Sequence, residues 1–532
     1  MNRGGGSGER YPPMAARLAT WGRRLTFLAL AGAVPLPAPR SLDAQDTDRG
    51  KALYDKWCAG CHGETGAGDG EGAAFMLPRP RDFTRGVYQI RTTASGELPT
   101  DDDLRRVIDQ GMPGTAMPGW REKLPAGDRD AVLAYIKTFS RFFQRGAPEP
   151  LDLGSAPGGG AAAVAEGRQV FEKLECFKCH GPAGRGDGSS ASTLTDDWDH
   201  PVRAADLTRN WRFNGGGTVE QIYARLRTGL DGTPMPSFSD AVASNVVTEE
   251  QLWRVAQYVR SLSPGRAPEV REVIRAALAT QLPADVGDSA WNAVEPAYVP
   301  LVGQIIARPR WFSPTVDGVW VQALHDGERL ALRLVWHDPS RSPDPAWDEW
   351  LGRVAATMSD ADGALPTAQG PDRLHVQLPP EAPIGVELPY FLSGNARSPV
   401  VLWAWSSDGD RVAEGTARGL DTFEPRSGDG TVAHSARYHE GAWQLQLVRA
   451  LAPADSARGP RFAPGTSVPI AFFAADGSNG EGTGRGAVSA WYAIYLDVPT
   501  PTRVYVMPVV AILVTAGLGV LVVRQAQRQQ KP

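Results

Sequence analysis

Cys58-Ala59-Gly60-Cys61-His62 recurs as Cys176-Phe177-Lys178-Cys179-His180, and this repeat decides how the first half of the chain is read. C-x-x-C-H is the pattern of covalent c-type haem attachment: two thiols add to the haem vinyl groups, and the adjacent histidine is placed under the iron. The repeat extends past the motif. Gly66-Ala67-Gly68-Asp69-Gly70 returns as Gly184-Arg185-Gly186-Asp187-Gly188, and Gly114-Thr115-Ala116-Met117-Pro118 returns as Gly232-Thr233-Pro234-Met235-Pro236. Fifty-five residues separate His62 from Met117, and fifty-five separate His180 from Met235. Two copies of one His/Met-ligated haem domain produce such a shared spacing. A zinc site would need further ligands, and all 4 cysteines lie in these motifs. A disulfide would leave the histidines and methionines unexplained. Met112 competes with Met117 as distal ligand, but only Met117 sits in the repeated Gly-Thr-x-Met-Pro frame; Met76 reads as packing.

At 532 residues the chain has room for three or four domains, and its net charge of −5 gives no support to nucleic-acid binding. Residues 1–44 read as an export signal: Arg17, Arg23 and Arg24 precede the apolar run 25–34, with a cut after Ala44. Residues 45–145 form the first haem domain. Its helices are expected at 50–57, at 101–110 with acidic residues in the first turn, and at 128–139 with Ala131, Val132, Tyr135, Ile136 and Phe139 on one face. Residues 146–164 have the composition of a flexible linker, which would let the haem domains reposition. The second haem domain spans 165–265 and closes with a helix at 249–262.

From 266 to 500 the pattern changes. An amphipathic segment (Val270, Val273, Ile274, Ala277, Leu278) precedes strand-like alternation. Val319 to His325, a turn at Asp326-Gly327, and Leu330 to Trp336 read as a β-hairpin. Further strands are expected at 374–378, 400–405, 443–448, 468–474 and 487–496, giving an antiparallel β-sandwich with Trp320, Trp336, Trp403, Trp405, Trp443 and Trp491 as core. Val504 to Val523 is an apolar run of the roughly 20 residues that cross a bilayer, followed by Arg524, Arg528 and Lys531. The expectation is a transmembrane helix at 503–524, a cytoplasmic tail at 525–532, and haem domains in the periplasm.

The third domain resembles a known family. Trp336-His337-Asp338-Pro339-Ser340, Leu374 to Pro379, Pro389 to Asn395, Ser398 to Trp405 and Gly441 to Leu451 are similar to the haem b domain of the ethylbenzene dehydrogenase γ-subunit family. The two N-terminal domains look like class I cytochromes c. The resemblance implies an electron-transfer subunit of a DMSO reductase-class molybdenum enzyme, exchanging electrons with respiratory carriers. That family holds haem b through a methionine and a lysine. Here Ser393 stands near the expected methionine, Met358 is the domain's one methionine, and no lysine lies between Lys178 and Lys531. A haem b would need His325, His337, His375, His434 or His439 instead, and the missing ligands count against it. Alternation places His375 opposite Leu374, Val376 and Leu378.

The expected fold is therefore two all-α cytochrome c domains, an antiparallel sandwich and a transmembrane helix. Cys58, Cys61, Cys176 and Cys179 are the expected haem c attachments, with His62, Met117, His180 and Met235 as axial ligands. Six-coordinate iron leaves no open position for substrate, so the expected role is electron transfer rather than catalysis. The alternative keeps the cytochromes serving another periplasmic dehydrogenase and gives the sandwich carbohydrate- or protein-binding work.

Overall fold

A computed structural model describes residues 42–146, 148–358, 363–381, 387–426, 431–454, 459–498 and 503–529. The export signal up to residue 41 and the tail residue Lys531 lie outside the described residues.

The first half is helical. Helices α1 (Leu42–Trp57), α2 (Ala59–His62), α3 (Asp101–Gln110) and α4 (Ala126–Thr138) precede α5 (Ala161–Lys173), α6 (Phe177–His180), α7 (Val219–Thr228), α8 (Ser239–Ala243) and α9 (Glu249–Ser261). Extended pairing among the described residues before 266 amounts to one isolated bridge, Thr195 with Pro201. Helix starts are written in side chains: Thr100 caps α3 reciprocally with Asp103, and Thr218/Gln221 and Thr248/Gln251 repeat that capping box on α7 and α9.

The same helix crossing is built twice. A Cβ at Gly50 would run into the Ala131 carbonyl, and one at Gly167 into the Arg254 carbonyl, so only glycine lets α1 meet α4 and α5 meet α9 this closely. Four residues on, Tyr54 packs against Tyr135 at 5.4 Å between ring centres, and Phe171 against Tyr258 at 5.3 Å.

The second half contains β1 (Val273–Leu278), β2 (Ala297–Pro300), β3 (Val302–Gly303), β4 (Gly318–His325), β5 (Arg329–His337), α10 (Asp348–Thr357), β6 (Arg373–Leu378), β7 (Val400–Ser406), β8 (Arg411–Ala417), β9 (Glu424–Pro425), β10 (Ala433–His439), β11 (Ala442–Ala450), β12 (Ser467–Ala475), β13 (Ala487–Val488) and β14 (Tyr492–Leu496). The strands run in the order β10-β11-β5-β4-β1-β14-β12-β6-β7-β8-β9. β12 joins the two layers: Ser467 to Ile470 pair with β14, then Ala471 to Ala475 pair with β6. One apolar core fills the space between the layers, with Leu332, Leu334 and Trp336 from one side and Val376, Trp403 and Trp405 from the other. Trp405 meets Trp336 at 5.5 Å and Trp443 at 4.7 Å, so these tryptophans and Trp403 are core, as their alternation predicts, whereas Trp320 and Trp491 are only half-buried.

The sandwich is mostly, but not wholly, antiparallel. The amphipathic segment after 266 supplies β1, which pairs in parallel with both β14 and β4. No hairpin turn fixes the direction of β1, because it reaches the sheet from the preceding domain and leaves it by a long connection. The expected strand at 487–496 divides into β13 and β14. The last helix, α11 (Arg503–Gln529), is exposed throughout and long and apolar enough to cross a membrane.

The segment expected as a flexible linker is tied down. Leu151 donates its N–H to the Thr92 carbonyl at 2.8 Å, and Arg254 and Gln257 of α9 hold the carbonyls of Gly158 and Pro157 at 2.6 and 2.9 Å. Both helical domains also contact the sandwich. Leu77 N–H donates to Ser313 Oγ at 2.9 Å, Phe75 packs tilted against Phe312 at 5.5 Å between ring centres, and Arg209 and Arg212 converge on Asp317.

Candidate haem sites

Each C-x-x-C-H motif closes as a single helical turn. His62 N–H bonds to the Cys58 carbonyl and His180 N–H to the Cys176 carbonyl, both at 2.9 Å. Glycines follow at positions where the backbone turns left-handed, Gly66 (φ 75°) and Gly68 (φ 76°) in the first copy, Gly184 (φ 77°) and Gly186 (φ 76°) in the second. Those turns bring a later carbonyl under the histidine. His62 Nδ1 lies 3.0 Å from the Arg81 carbonyl oxygen, and His180 Nδ1 lies 2.9 Å from that of Ala205.

The chemistry of that contact fixes the tautomer. Burial lowers the pKa of both imidazoles, so they are neutral, and a carbonyl can only accept. Nδ1 therefore carries the hydrogen and Nε2 keeps a lone pair, the form that ligates a metal. The His62 ring is further held by stacking on Phe83 at 4.5 Å.

The thiols are unpaired, and burial pushes Cys58 and Cys176 up to about 12. Beside Cys58 and His62 opens a small apolar cleft, lined by Phe83, Ile108, Trp120, Val132 and Met117. Met235 and Cys176 pack on the corresponding core of the second domain, beside the stacked pair Tyr223 and Trp253 at 3.7 Å.

The methionine loops are copies in structure as well as sequence. Thr115 Oγ1 accepts from Met117 N–H and donates to the Met112 carbonyl; Thr233 Oγ1 accepts from Met235 N–H and donates to the Leu230 carbonyl. Met112 thus serves the loop through its backbone, which separates it from Met117. Each domain accordingly carries two thiols in its C-x-x-C-H turn, one imidazole with Nε2 free to ligate and one thioether, a donor set that fits a covalently held haem.

Sequence reasoning missed how the two sites adjoin. Arg81, whose carbonyl holds His62, lays its guanidinium over Trp198 of the second domain at 4.9 Å. Gly232, in the second methionine loop, lies so close that a Cβ there would sit 2.7 Å from Arg81 Nη1 and 2.9 Å from the Trp198 ring. Arg91 is fully buried, donates to the Thr228 carbonyl at 2.6 Å and pairs with Asp231 at 2.5 Å. Arg225 returns a bond to the Arg91 carbonyl, and Arg106 reaches that of Gly215. Arginine-to-carbonyl contacts have no period and no motif, so nothing in the sequence announces them.

The third domain does not assemble a haem b site from the residues named for it. Buried Ser393 donates its N–H to Gln377 Oε1 at 2.9 Å. Met358 is buried among Trp311, Trp347 and Trp350. His325, His337 and His434 bond through Nε2 to the carbonyls of Asp497, Arg185 and Asp410, at 2.8, 2.5 and 2.8 Å. His375 does point away from the main core, but it is buried against Phe473 at 5.2 Å, and His439 lies beside Glu440 at the surface. These residues do not fit a methionine–lysine haem or a bis-histidine substitute.

Comparison with known proteins follows the same division. The family described as Cytochrome C oxidase, cbb3-type, subunit III matches residues 45–136, and the family described as Cytochrome c matches residues 164–263. Cytochrome c55X of Paracoccus denitrificans is 34% identical over 121 residues, 23% of this chain and 93% of that protein. A Haloferax mediterranei protein named as respiratory nitrate reductase heme subunit ORF7 is 27% identical over 222 residues, 41% of this chain and 70% of its own length. Dimethylsulfide dehydrogenase subunit gamma of Rhodovulum sulfidophilum is 27% identical over 175 residues, 32% of this chain and 56% of that subunit. The chain thus spans little more than half of the last relative.

Proposed function

The chain belongs to the cytochrome c family, with two cytochrome c domains and so two covalent haem c groups, and we propose that it relays single electrons as a membrane-tethered subunit or redox partner of a DMSO reductase-class molybdenum oxidoreductase. Cys58, Cys61, Cys176 and Cys179 hold the porphyrins by thioether bonds. His62 and His180 are the proximal ligands, with Met117 and Met235 opposite. Haem iron supplies a one-electron ferrous–ferric couple, and thioether ligation favours the ferrous form relative to a second histidine.

The observation that carries this reading is the doubled site: two neutral imidazoles, each held through Nδ1 by a carbonyl, each with a Gly-Thr-x-Met-Pro loop. Arg81, Trp198 and Gly232 join them, so the chain's own packing sets one domain's histidine loop against the other's methionine loop. Similarity to a nitrate reductase heme subunit and to dimethylsulfide dehydrogenase subunit gamma supports the molybdenum partner. The sandwich, resembling the ethylbenzene dehydrogenase γ-subunit family without its haem ligands, docks that partner. Helix α11 spans the cytoplasmic membrane with Arg524 and Arg528 inside, which leaves the haem domains in the periplasm.

Two measurements test this. A pyridine haemochrome spectrum of the detergent-purified protein, calibrated against chain concentration, should give two haems c and no extractable haem b; fewer than two haems c would overturn the site assignments. Affinity purification from the native host should bring down a molybdenum-containing subunit in stoichiometric amount. A preparation that carries electrons but holds no molybdenum would sink the partner assignment and leave the haem assignment standing.

A further inference from the structure

The sandwich contains a buried anionic centre that the electron-transfer reading does not use. Asp338 follows β5, Asp372 precedes β6 and Asp476 follows β12, so the fold brings together three carboxylates far apart in sequence. All three are fully buried, and one oxygen from each lies within 4.8 Å of the other two. Their remaining contacts are with neutral donors. Asp338 Oδ1 accepts from Ser340 N–H at 3.2 Å; Asp476 Oδ1 accepts from Ser478 N–H at 2.8 Å and from the hydroxyls of Ser340 and Ser342 at 3.3 and 3.2 Å. Asp372 accepts from Ser342 N–H, Gly477 N–H and Trp443 Nε1 at 2.8, 3.2 and 3.0 Å.

Two oxygens are left over. Oδ2 of Asp338 and Oδ2 of Asp476 are buried and accept no hydrogen bond. Glu481, buried close by, adds to the like charge. Arg203 of the second cytochrome domain stops 3.8 Å from Asp476 Oδ2, with its guanidinium donating to Thr315 Oγ1 at 2.7 Å and lying over Trp350 at 4.9 Å. One arginine at the rim does not offset three carboxylates that face one another out of water.

We propose that Asp338, Asp372 and Asp476 form a binding site for one calcium ion, with the two unpartnered Oδ2 atoms as primary ligands. The donors are all hard oxygens, with no thiol or imidazole in the cluster, which selects against zinc and copper. Separations within 4.8 Å lie inside the about 5 Å that two oxygens span across a calcium ion with 2.3–2.6 Å bonds. A cage of three carboxylates suits calcium, whereas magnesium keeps several waters and uses one or two. Arg203 would close the site from the cytochrome side, so the ion would also set how that domain seats on the sandwich.

The test uses the full-length haem-loaded protein in detergent, stripped with EGTA and then dialysed against calcium or magnesium at 1 mM. Calcium should be retained at one per chain and raise the melting temperature, with the haem spectrum unchanged. Asp338→Asn should lower calcium affinity at least tenfold by calorimetric titration while keeping two haems c. No retained calcium and no thermal shift would overturn the site and leave protons as the neutralising charge. Retention of magnesium instead, or unchanged calcium affinity in Asp338→Asn, would overturn it equally. Should that variant fail to fold, the wild-type stoichiometry decides alone.

Discussion

At the scale of single residues, the strongest assignments are those where one atom's chemistry leaves one choice. A carbonyl acceptor beneath His62 leaves Nε2 as the only nitrogen with a lone pair, and the same holds for His180. The methionines are tested by removal. Met117→Ala should open one coordination position, so the reduced variant binds one carbon monoxide per chain where the wild type binds none rapidly. Met112→Ala, altering only a side chain whose backbone serves the loop, should stay unreactive; carbon monoxide binding by that variant would reverse the choice of ligand. His375 makes a different prediction. Burial, reinforced by Arg373, pushes its pKa down to about 4, below the usual 6.5 of an exposed histidine. A group with a depressed pKa of this kind is neutral in the fold and protonates first in the unfolded chain. Its contribution is intact above pH 6.5 and disappears as pH falls toward 4, on the order of 3 kcal/mol in full. Urea midpoints of wild type and His375→Gln should converge between pH 7 and pH 5; parallel pH curves would refute the assignment. The proposed ligand residues stand out in the sequence because haem attachment demands fixed side chains at fixed spacing. Their supports were not, because Arg81 and Ala205 act through backbone oxygens that any residue possesses.

At the scale of elements, legibility follows burial. The central strands β4, β5, β6, β7, β11 and β12 bury one or both faces and show it in apolar alternation. β10 and β8 lie toward the edges of the strand order, with polar sequences such as Ala433-His434-Ser435-Ala436-Arg437, and carry no such signal. β1 shows the limit of periodicity, since an amphipathic segment declares a buried face without declaring which neighbour runs alongside. The glycine crossings are the converse case, a strong constraint with a weak signal. A single glycine inside each helix is unfavourable for the helix itself by about 1 kcal/mol. Its retention at Gly50 and Gly167 reflects the carbonyl that would otherwise be struck. Gly167→Ala should therefore destabilise the second cytochrome domain by about 1–3 kcal/mol despite the better helix propensity. A calorimetric melt of the haem-loaded variant measures it, and an unchanged or raised melting temperature would show that α5 and α9 can separate without cost.

At the scale of the whole molecule, the sequence suggested two haem domains swinging on a Gly/Pro-rich tether, and the structure shows them bonded together and to the sandwich. The difference lies in what holds them: besides apolar contacts such as Phe75 with Phe312, arginines reach across to carbonyls and aspartates, as Arg91 does to Thr228 and Asp231. Composition can say that a segment could move; it cannot say that distant surfaces already grip one another. This packing matters for electron relay, because a fixed separation between two haems gives one constant transfer step, whereas a swinging pair gives a step gated by collision. Arg91 is fully buried while Asp231 is partly exposed, so removing the aspartate strands a charge that water cannot reach. Asp231→Asn should weaken the contact between the cytochrome domains by on the order of 3 kcal/mol. The expected result is that a single calorimetric transition for the two domains splits into two, that both haem spectra stay unchanged, and that electron equilibration between the haems after a flash of reductant becomes slower and dependent on viscosity. If equilibration in the variant keeps the wild-type rate, the two sites communicate without this interface, and the tethered-swing picture drawn from composition would be the better one.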